Sequence, residues 1–236
     1  MNKLVSFLPE VKKPEQKKLG FKEKLVWTLI ILIAFFILSI IPLYGLGENS
    51  LSRFRELSII LGASFGSIMS LGIGPIVTSS IVLQLLVGSG IIKADLTTKE
   101  GRTFFQGLQK LTTLFFILFE AIVYVMLGGL APNPALAGTP AYFSFQLILI
   151  VQLIIGGLLV LFMDEVVSKW GFGSGVSLFI AAGVASEIFI RAFSPLNSLG
   201  QLAWGSGQPA IGAILVFFSS LLSGAPKEAL LCLLLK

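Results

Sequence analysis

Histidine is absent from this chain of 236 residues, and cysteine occurs once, at Cys232. A disulfide within the chain is excluded, and a Cys/His metal site is argued against. Charge is scarce as well. Asp, Glu, Lys and Arg make up 12% of the residues, against about 25% in an ordinary soluble domain. No paired acids, no Ser/His arrangement and no metal-ligand cluster is visible, so catalysis finds no support and no cofactor is expected. What the chain does hold is apolar: 55% of its residues are hydrophobic. A soluble fold of this length cannot hide so much apolar surface, and a bilayer can solvate it. The net charge of +5 lies in short segments between apolar runs, so nucleic-acid binding is not expected.

Residues 1–24 carry seven Lys and three Glu. Leu19 to Leu25 reads as a short amphipathic helix on the membrane surface; residues 1–18 fit a disordered basic tail equally well. Leu25 to Tyr44 is an apolar run of 20 residues. A bilayer core of about 30 Å needs roughly 20 helical residues, so this run fits a span. A cleaved signal has a short basic start and a small-residue cleavage site, which this segment lacks. Trp27 falls near the lipid boundary, where aromatic belts occur.

The next uncharged stretch, Leu57 to Ile92, has 36 residues. That is too long for one span and barely enough for two. Gly62, Gly66, Gly72, Gly74 and Pro75 interrupt it. Proline starts a helix well but cannot continue one. The pattern predicts a short helix at about 52–65, a break at 66–74 and a second helix from Pro75 to about Gly88. That second helix is too short to cross alone, which puts the break inside the membrane. There, irregular backbone survives only when packed in protein or lining a watery cavity. Further spans are predicted from about Gln109 to Leu130 and from Phe143 to Met163. A polar loop with Asp164, Glu165 and Lys169 follows, then a fifth helix from near Ser174 to near Arg191. Residues 192–208 hold turn formers. Ala210 to Leu222 reads as a surface or re-entrant helix. The fold class is all-α: a polytopic bundle of five membrane helices, the second broken in two. Three regions are expected, at 1–24, 25–191 and 192–236.

Lys and Arg in short loops set orientation. The amino-terminal segment has seven, the 91–110 loop has Lys93, Lys99, Arg102 and Lys110, and the 131–141 loop has none. A cytoplasmic amino terminus is expected, with the 91–110 and 164–173 loops on the same side.

Several residues invite a chemical role. A helix starting at Pro75 offers free amides and a positive dipole end within the membrane, as in transporters with broken helices. Ile73 and Val77 are four apart and can share a face; Val176 and Ile180 repeat that spacing. Taken alone, such pairs serve packing or face lipid. Gly171-Phe-Gly-Ser-Gly175 lacks the strand context of a phosphate loop, so close backbone approach and a Ser174 cap account for it. Glu187 lies a turn from Arg191, where a local ion pair is the plain reading. Glu120 sits deeper, and a contact to Ser, Thr or Gln on a neighbouring helix competes with a transport role. Thr78, Ser79, Ser80 and Gln84 can hydrogen-bond between helices or line a path that opens.

Leu71-Gly-Ile-Gly-Pro-Ile-Val-Thr78 and Gln84-Leu-Leu-Val-Gly-Ser-Gly-Ile-Ile92 resemble the plug-to-second-helix region of archaeal-type SecY, the main subunit of the Sec protein translocon. Phe21-Lys-Glu-Lys24, Phe105-Gln-Gly-Leu-Gln-Lys110 and the run Asp164 to Gly183 resemble other segments of that family. The resemblance covers about residues 19–191. It implies a pore-forming subunit that translocates secretory proteins and releases membrane proteins sideways into lipid. It assigns Ile73, Val77, Val176 and Ile180 to the pore ring. It assigns residues 52–65 to the plug, with Arg53, Leu57, Ile60, Leu61 and Ser64 as its candidates. Thr78, Ser80 and Gln84 fall on the lateral gate. The implied partners are SecE-like and small beta-type subunits, signal peptides, nascent chains, lipid, and the ribosome through the family's second half. The implied location is the plasma membrane. Members have ten spans in two inverted halves. This chain stops near the sixth, so it is expected to be the amino-terminal half and not a complete channel by itself. A small-solute secondary transporter is the competing reading, and it would need a charged or strongly polar site beside the break.

Overall fold

The computed structural model of the chain describes residues 11, 20–47, 66–92, 97–194 and 212–216, apart from the side chains of residues 99, 100, 134 and 191. Among them are five α-helices: α1 Phe21–Ile40, α2 Gly74–Gly88, α3 Lys99–Met126, α4 Pro140–Trp170 and α5 Gly175–Phe193, with a 3-10 turn at Pro134–Leu136. α1, α3 and α4 are long and apolar enough to cross a membrane. α2 and the stretch Gly175–Ile190 of α5 are apolar but shorter. At 1.5 Å per residue the 15 residues of α2 reach only about 22 Å, short of the roughly 30 Å of a hydrocarbon core. The chain divides into two compact units, Met1–Ala181 and Ala182–Lys236. In the second, the Gly212 amide donates to the Ser194 carbonyl at 3.0 Å, and residues 213–216 are helical. The rest of the predicted helix at 210–222 lies outside the described residues, as does the plug segment 52–65.

Three helix ends differ from the sequence expectation. Phe21 to Leu25 forms the first turns of α1 rather than a separate surface helix. The Gly20 amide donates to the Glu23 carboxylate there at 3.3 Å. α3 begins at Lys99 rather than near Gln109, because the Thr98 hydroxyl accepts from the Gly101 amide and starts the helix. α4 continues past Met163 to Trp170, so Asp164, Glu165 and Lys169 are helical and not in a loop. Glu165 and Lys169 face each other one turn apart as an ion pair at 2.8 Å, a spacing that supports a helix. Apolarity marks the part of a helix that suits lipid, whereas the hydrogen-bond ladder runs on into water.

α1 and α4 lie antiparallel. Trp27 packs on Trp170 with ring centroids 5.4 Å apart. Beyond the other end of α1, the Tyr44 amide donates to Gln152 Oε1 at 3.0 Å. Between these points Phe35 stacks on Phe179 at 4.8 Å. Most of the rest of α1 is outward-facing and apolar, as a lipid-facing helix requires. The starts of α1 and α5 gather at the end of α4 that carries Glu165. Lys110 of α3 bonds that same residue.

The break before α2 is a series of turns over residues 66–73. Many of its backbone groups are bonded by protein. The Leu43 amide donates to the Gly66 carbonyl at 2.8 Å, and the Ile68 amide donates to the Ile41 carbonyl at 3.0 Å. The Gly66 amide donates to Ser70 Oγ at 2.9 Å. The Gly72 amide turns back on Met69 and the Gly74 amide on Leu71. Gly72, at φ 54°, takes a left-handed conformation that side chains disfavour. Met69 and Leu71 are buried in the main apolar cluster. α4 makes room for the turns with Gly156, where a Cβ would overlap the Ile68 carbonyl oxygen, and for α3 with Gly157, where one would meet Ile117 Cγ2 at 2.8 Å.

Gly156→Ala is expected to destabilise the bundle by about 1–3 kcal/mol through overpacking. Gly88→Ala meets nothing within 4 Å and should leave stability unchanged or slightly raised. Thermal unfolding in detergent, followed by circular dichroism, checks both; equal melting of the two variants would show that the break does not press on α4.

Candidate functional site

A cavity of about 760 Å³ opens between α2, α3, α4 and the first turns of α5. One part of its wall is apolar, with Val77 and Ile81 of α2, Leu161 of α4, and Val176 and Ile180 of α5. Another part is polar and charged, with Gln106 and Lys110 of α3 and Asp164, Glu165, Ser168 and Lys169 of α4.

Of the four predicted ring residues, Val77, Val176 and Ile180 line this cavity. Ile73 does not. It sits at the N-cap of α2, 5% exposed, inside the core cluster against which Val77 and Val176 also pack. The pairing of positions four apart on α2 and α5 thus converges on one region of the fold. The plug candidates Arg53, Leu57, Ile60, Leu61 and Ser64 lie outside the described residues.

The polar side chains of α2 divide their partners. Thr78 lies beside the Glu120 carboxylate of α3. Glu120 Oε2 also lies 3.2 Å from where a Cβ on Gly74 would stand. The acid therefore abuts the first turn of α2, where free amides and the helix dipole favour negative charge. Ser79, fully buried, meets Thr113 Oγ1 at 2.6 Å. Ser80 faces the cavity and accepts from Gln84 Nε2 at 3.1 Å, with Gln84 exposed. Two buried or half-buried polar contacts thus tie the short helix α2 to α3.

The start of α5 is capped from another helix. Asp164 of α4 accepts the Val176 amide at 2.9 Å, so the predicted Ser174 cap is replaced. Gly175 permits this, because a Cβ there would stand 2.7 Å from Asp164 Cα. A Cβ on Gly171 would press on Thr28 Oγ1 at 2.8 Å. Close backbone approach explains both glycines. The cap on Val176 also holds the start of the helix that carries Val176 and Ile180.

Glu165 is the hub of the charged wall. Its Oε2 receives Lys110 Nζ at 3.0 Å and its Oε1 receives Lys169 Nζ at 2.8 Å, with all three side chains 13–16% exposed. Sequence reasoning placed these groups in a loop and gave them no role. The spacing of Glu165 and Lys169 is the signal that marks them as helical; the arrival of Lys110 has no local signal. For the predicted ion pair of Glu187 with Arg191, the Arg191 side chain is outside the described residues. No group of three or more potential metal ligands occurs among the described residues.

Comparison with known proteins places this geometry. The SecY family model matches residues 67–225. Protein translocase subunit SecY of Methanothermobacter thermautotrophicus is 51% identical over 225 residues, which cover 95% of this chain and 46% of the relative. Sec61 in the canine ribosome-channel complex from the endoplasmic reticulum superposes with a TM-score of 0.74 at 38% identity, over 94% of this chain and 46% of that one. A SecY structure, in which the plug domain stabilises the closed state of the translocation channel and maintains a membrane seal, matches with a TM-score of 0.73 at 38% identity, over 94% of this chain and 45% of that one. The chain spans about half the length of the relatives it matches.

Asp164→Ala is expected to free the Val176 amide and cost about 1 kcal/mol, the usual loss when a helix cap is removed. Hydrogen exchange at Val176 should accelerate accordingly. Unchanged protection at Val176 would mean that Ser174 carries the cap after all.

Proposed function

The chain belongs to the SecY family, and we propose on that premise that it is a pore-forming part of a protein-conducting channel. It would move secretory polypeptides across the membrane and release apolar segments sideways into lipid. The observation that carries this reading is the cavity whose apolar wall joins α2 to α5 through Val77, Val176 and Ile180. These side chains would form part of a constricting ring, with Ile73 packed behind them in the core cluster. An apolar ring excludes water and ions by dewetting, yet parts around a peptide without breaking directional bonds.

The short helix α2 is suited to be one wall of a lateral gate. It is held to α3 by the contacts of Ser79 and Thr78, and its outer positions Ser80 and Gln84 bond each other. Few polar ties of this kind can open and reclose. The plug role is assigned to residues 52–65, on the strength of the plug domain in the related SecY structure. The remaining ring and gate residues would come from the second half of the family's fold. A SecE-like and a small beta-type subunit, signal peptides, nascent chains and the ribosome are the proposed partners, the last supported by the related ribosome-channel complex. The protein sits in the plasma membrane with its amino terminus in the cytoplasm. It is not an enzyme. A solute transporter is not favoured, because Asp164, Glu165, Lys110 and Lys169 are engaged with one another or with backbone amides.

Replacing Ile73, Val77, Val176 and Ile180 together by Ser, in the reconstituted complete channel, should raise resting ion conductance while translocation of a secretory precursor continues. Conductance equal to the parent channel would refute the ring. Orientation is checked separately in a Cys232→Ser background. Cysteines placed at Lys99 and at Asn133 should react with an impermeant maleimide from opposite sides of the membrane, and labelling of both from one side would overturn the topology.

A further inference from the structure

Two residues of the cavity's charged wall, Glu165 and Lys169, already hold the main-chain groups of one residue, Val11. The Val11 amide donates to Glu165 Oε1 at 3.3 Å, and Lys169 Nζ donates to the Val11 carbonyl oxygen at 2.6 Å. Lys169 Nζ also reaches Glu165 Oε1 at 2.8 Å. A carboxylate and an ammonium, four residues apart on one helix, thus take both main-chain groups of a single residue. An antiparallel strand does the same when a residue exchanges both of its hydrogen bonds with the residue opposite. Here two side chains imitate that strand.

From this geometry we infer that Glu165 and Lys169 form a docking site for extended polypeptide main chain, occupied in cis by residue 11. The inference deepens the channel reading and rests on it for the identity of the natural ligand, a chain entering the cavity. The contacts recognise an N–H and a C=O, which every residue but proline offers together. The site therefore selects extended backbone and ignores side chains, as a conduit for many sequences requires. Both residues also line the cavity, so the site lies on its wall. Lys110 holds the other carboxylate oxygen, which keeps Glu165 ionised and oriented when residue 11 leaves. Residue 11 is tethered and competes at high effective concentration. An incoming chain binds by displacing it, and its apparent affinity is lowered by the fraction of sites left open.

The test uses the chain in lipid nanodiscs, with any subunit that accompanies it, and two dye-labelled peptides of equal length with capped ends. One is built of Gly, Ser and Thr and the other of Pro. Binding is read by fluorescence anisotropy. Val11→Pro removes the amide donor of the cis occupant, and its ring restrains the backbone at residues 10 and 11, so that the occupant is displaced. If that occupant fills nine sites in ten, the Gly/Ser/Thr peptide should bind this variant about tenfold more tightly than the parent. Val11→Ala should match the parent. Lys169→Met, which keeps the Lys110–Glu165 pair, should abolish binding, with retained helicity checked by circular dichroism. The Pro peptide should bind none of them. Equal affinity for Val11→Pro and Val11→Ala, binding of the Pro peptide, undiminished binding to Lys169→Met, or no binding to Val11→Pro at millimolar peptide would each overturn the inference. None of these readouts requires translocation, so failure of the channel reading shows in the conductance and translocation assays and leaves this result to be judged separately.

Discussion

A backbone amide or carbonyl in an apolar medium must find a partner, and this requirement governs the structure around the break. A continuous helix meets it within itself; an interrupted one must borrow partners. Between residues 66 and 73 those partners come from the chain after α1, from Ser70 and from the tight turns themselves. The loan sets geometry elsewhere. The end of α1 has to lie beside the break, and α4 must present a residue without a side chain, Gly156, where the Ile68 carbonyl passes. The break in turn delivers Ile73 and the first turn of α2 to the interior of the bundle.

The same requirement recurs at the start of α5. Its first amides have no carbonyl in their own helix to bond, and Asp164 of α4 takes that of Val176. Capping from a neighbour, rather than from the preceding residue, couples the position of α5 to α4. The apolar side chains of Val77, Val176 and Ile180 therefore stand on two helix starts, each anchored by polar contacts to an adjacent helix. α2 is anchored on Glu120 and Thr113 of α3, and α5 on Asp164 of α4. An apolar wall needs no polar partners of its own, but its placement depends on them.

Lys110, Glu165 and Lys169 gather at one end of this arrangement. Glu165 carries two ammonium groups and a main-chain amide. Partly buried pairs such as these are screened less by water and salt than exposed ones. They bring α3, α4 and the segment at Val11 together, while aromatic pairs such as Trp27 with Trp170 close the same end against α1.

The sequence by itself determined the class of the fold, the interruption before Pro75 and the approximate place of α1 to α5, because hydropathy and the backbone limits of Gly and Pro are local properties. It also picked out Ile73, Val77, Val176 and Ile180 by spacing and resemblance. It misjudged where α3 begins and α4 ends, since a helix continues beyond the residues that lipid would tolerate. Only the tertiary structure decided that Ile73 is buried in the core while Val77, Val176 and Ile180 reach the cavity. It alone joined Thr78 to Glu120, Asp164 to the start of α5, and Lys110 and Val11 to Glu165. Those pairs lie from 12 to 154 residues apart. No local pattern encodes them, because each depends on which helix faces pack together and on where small residues such as Gly156 and Gly175 let two backbones meet.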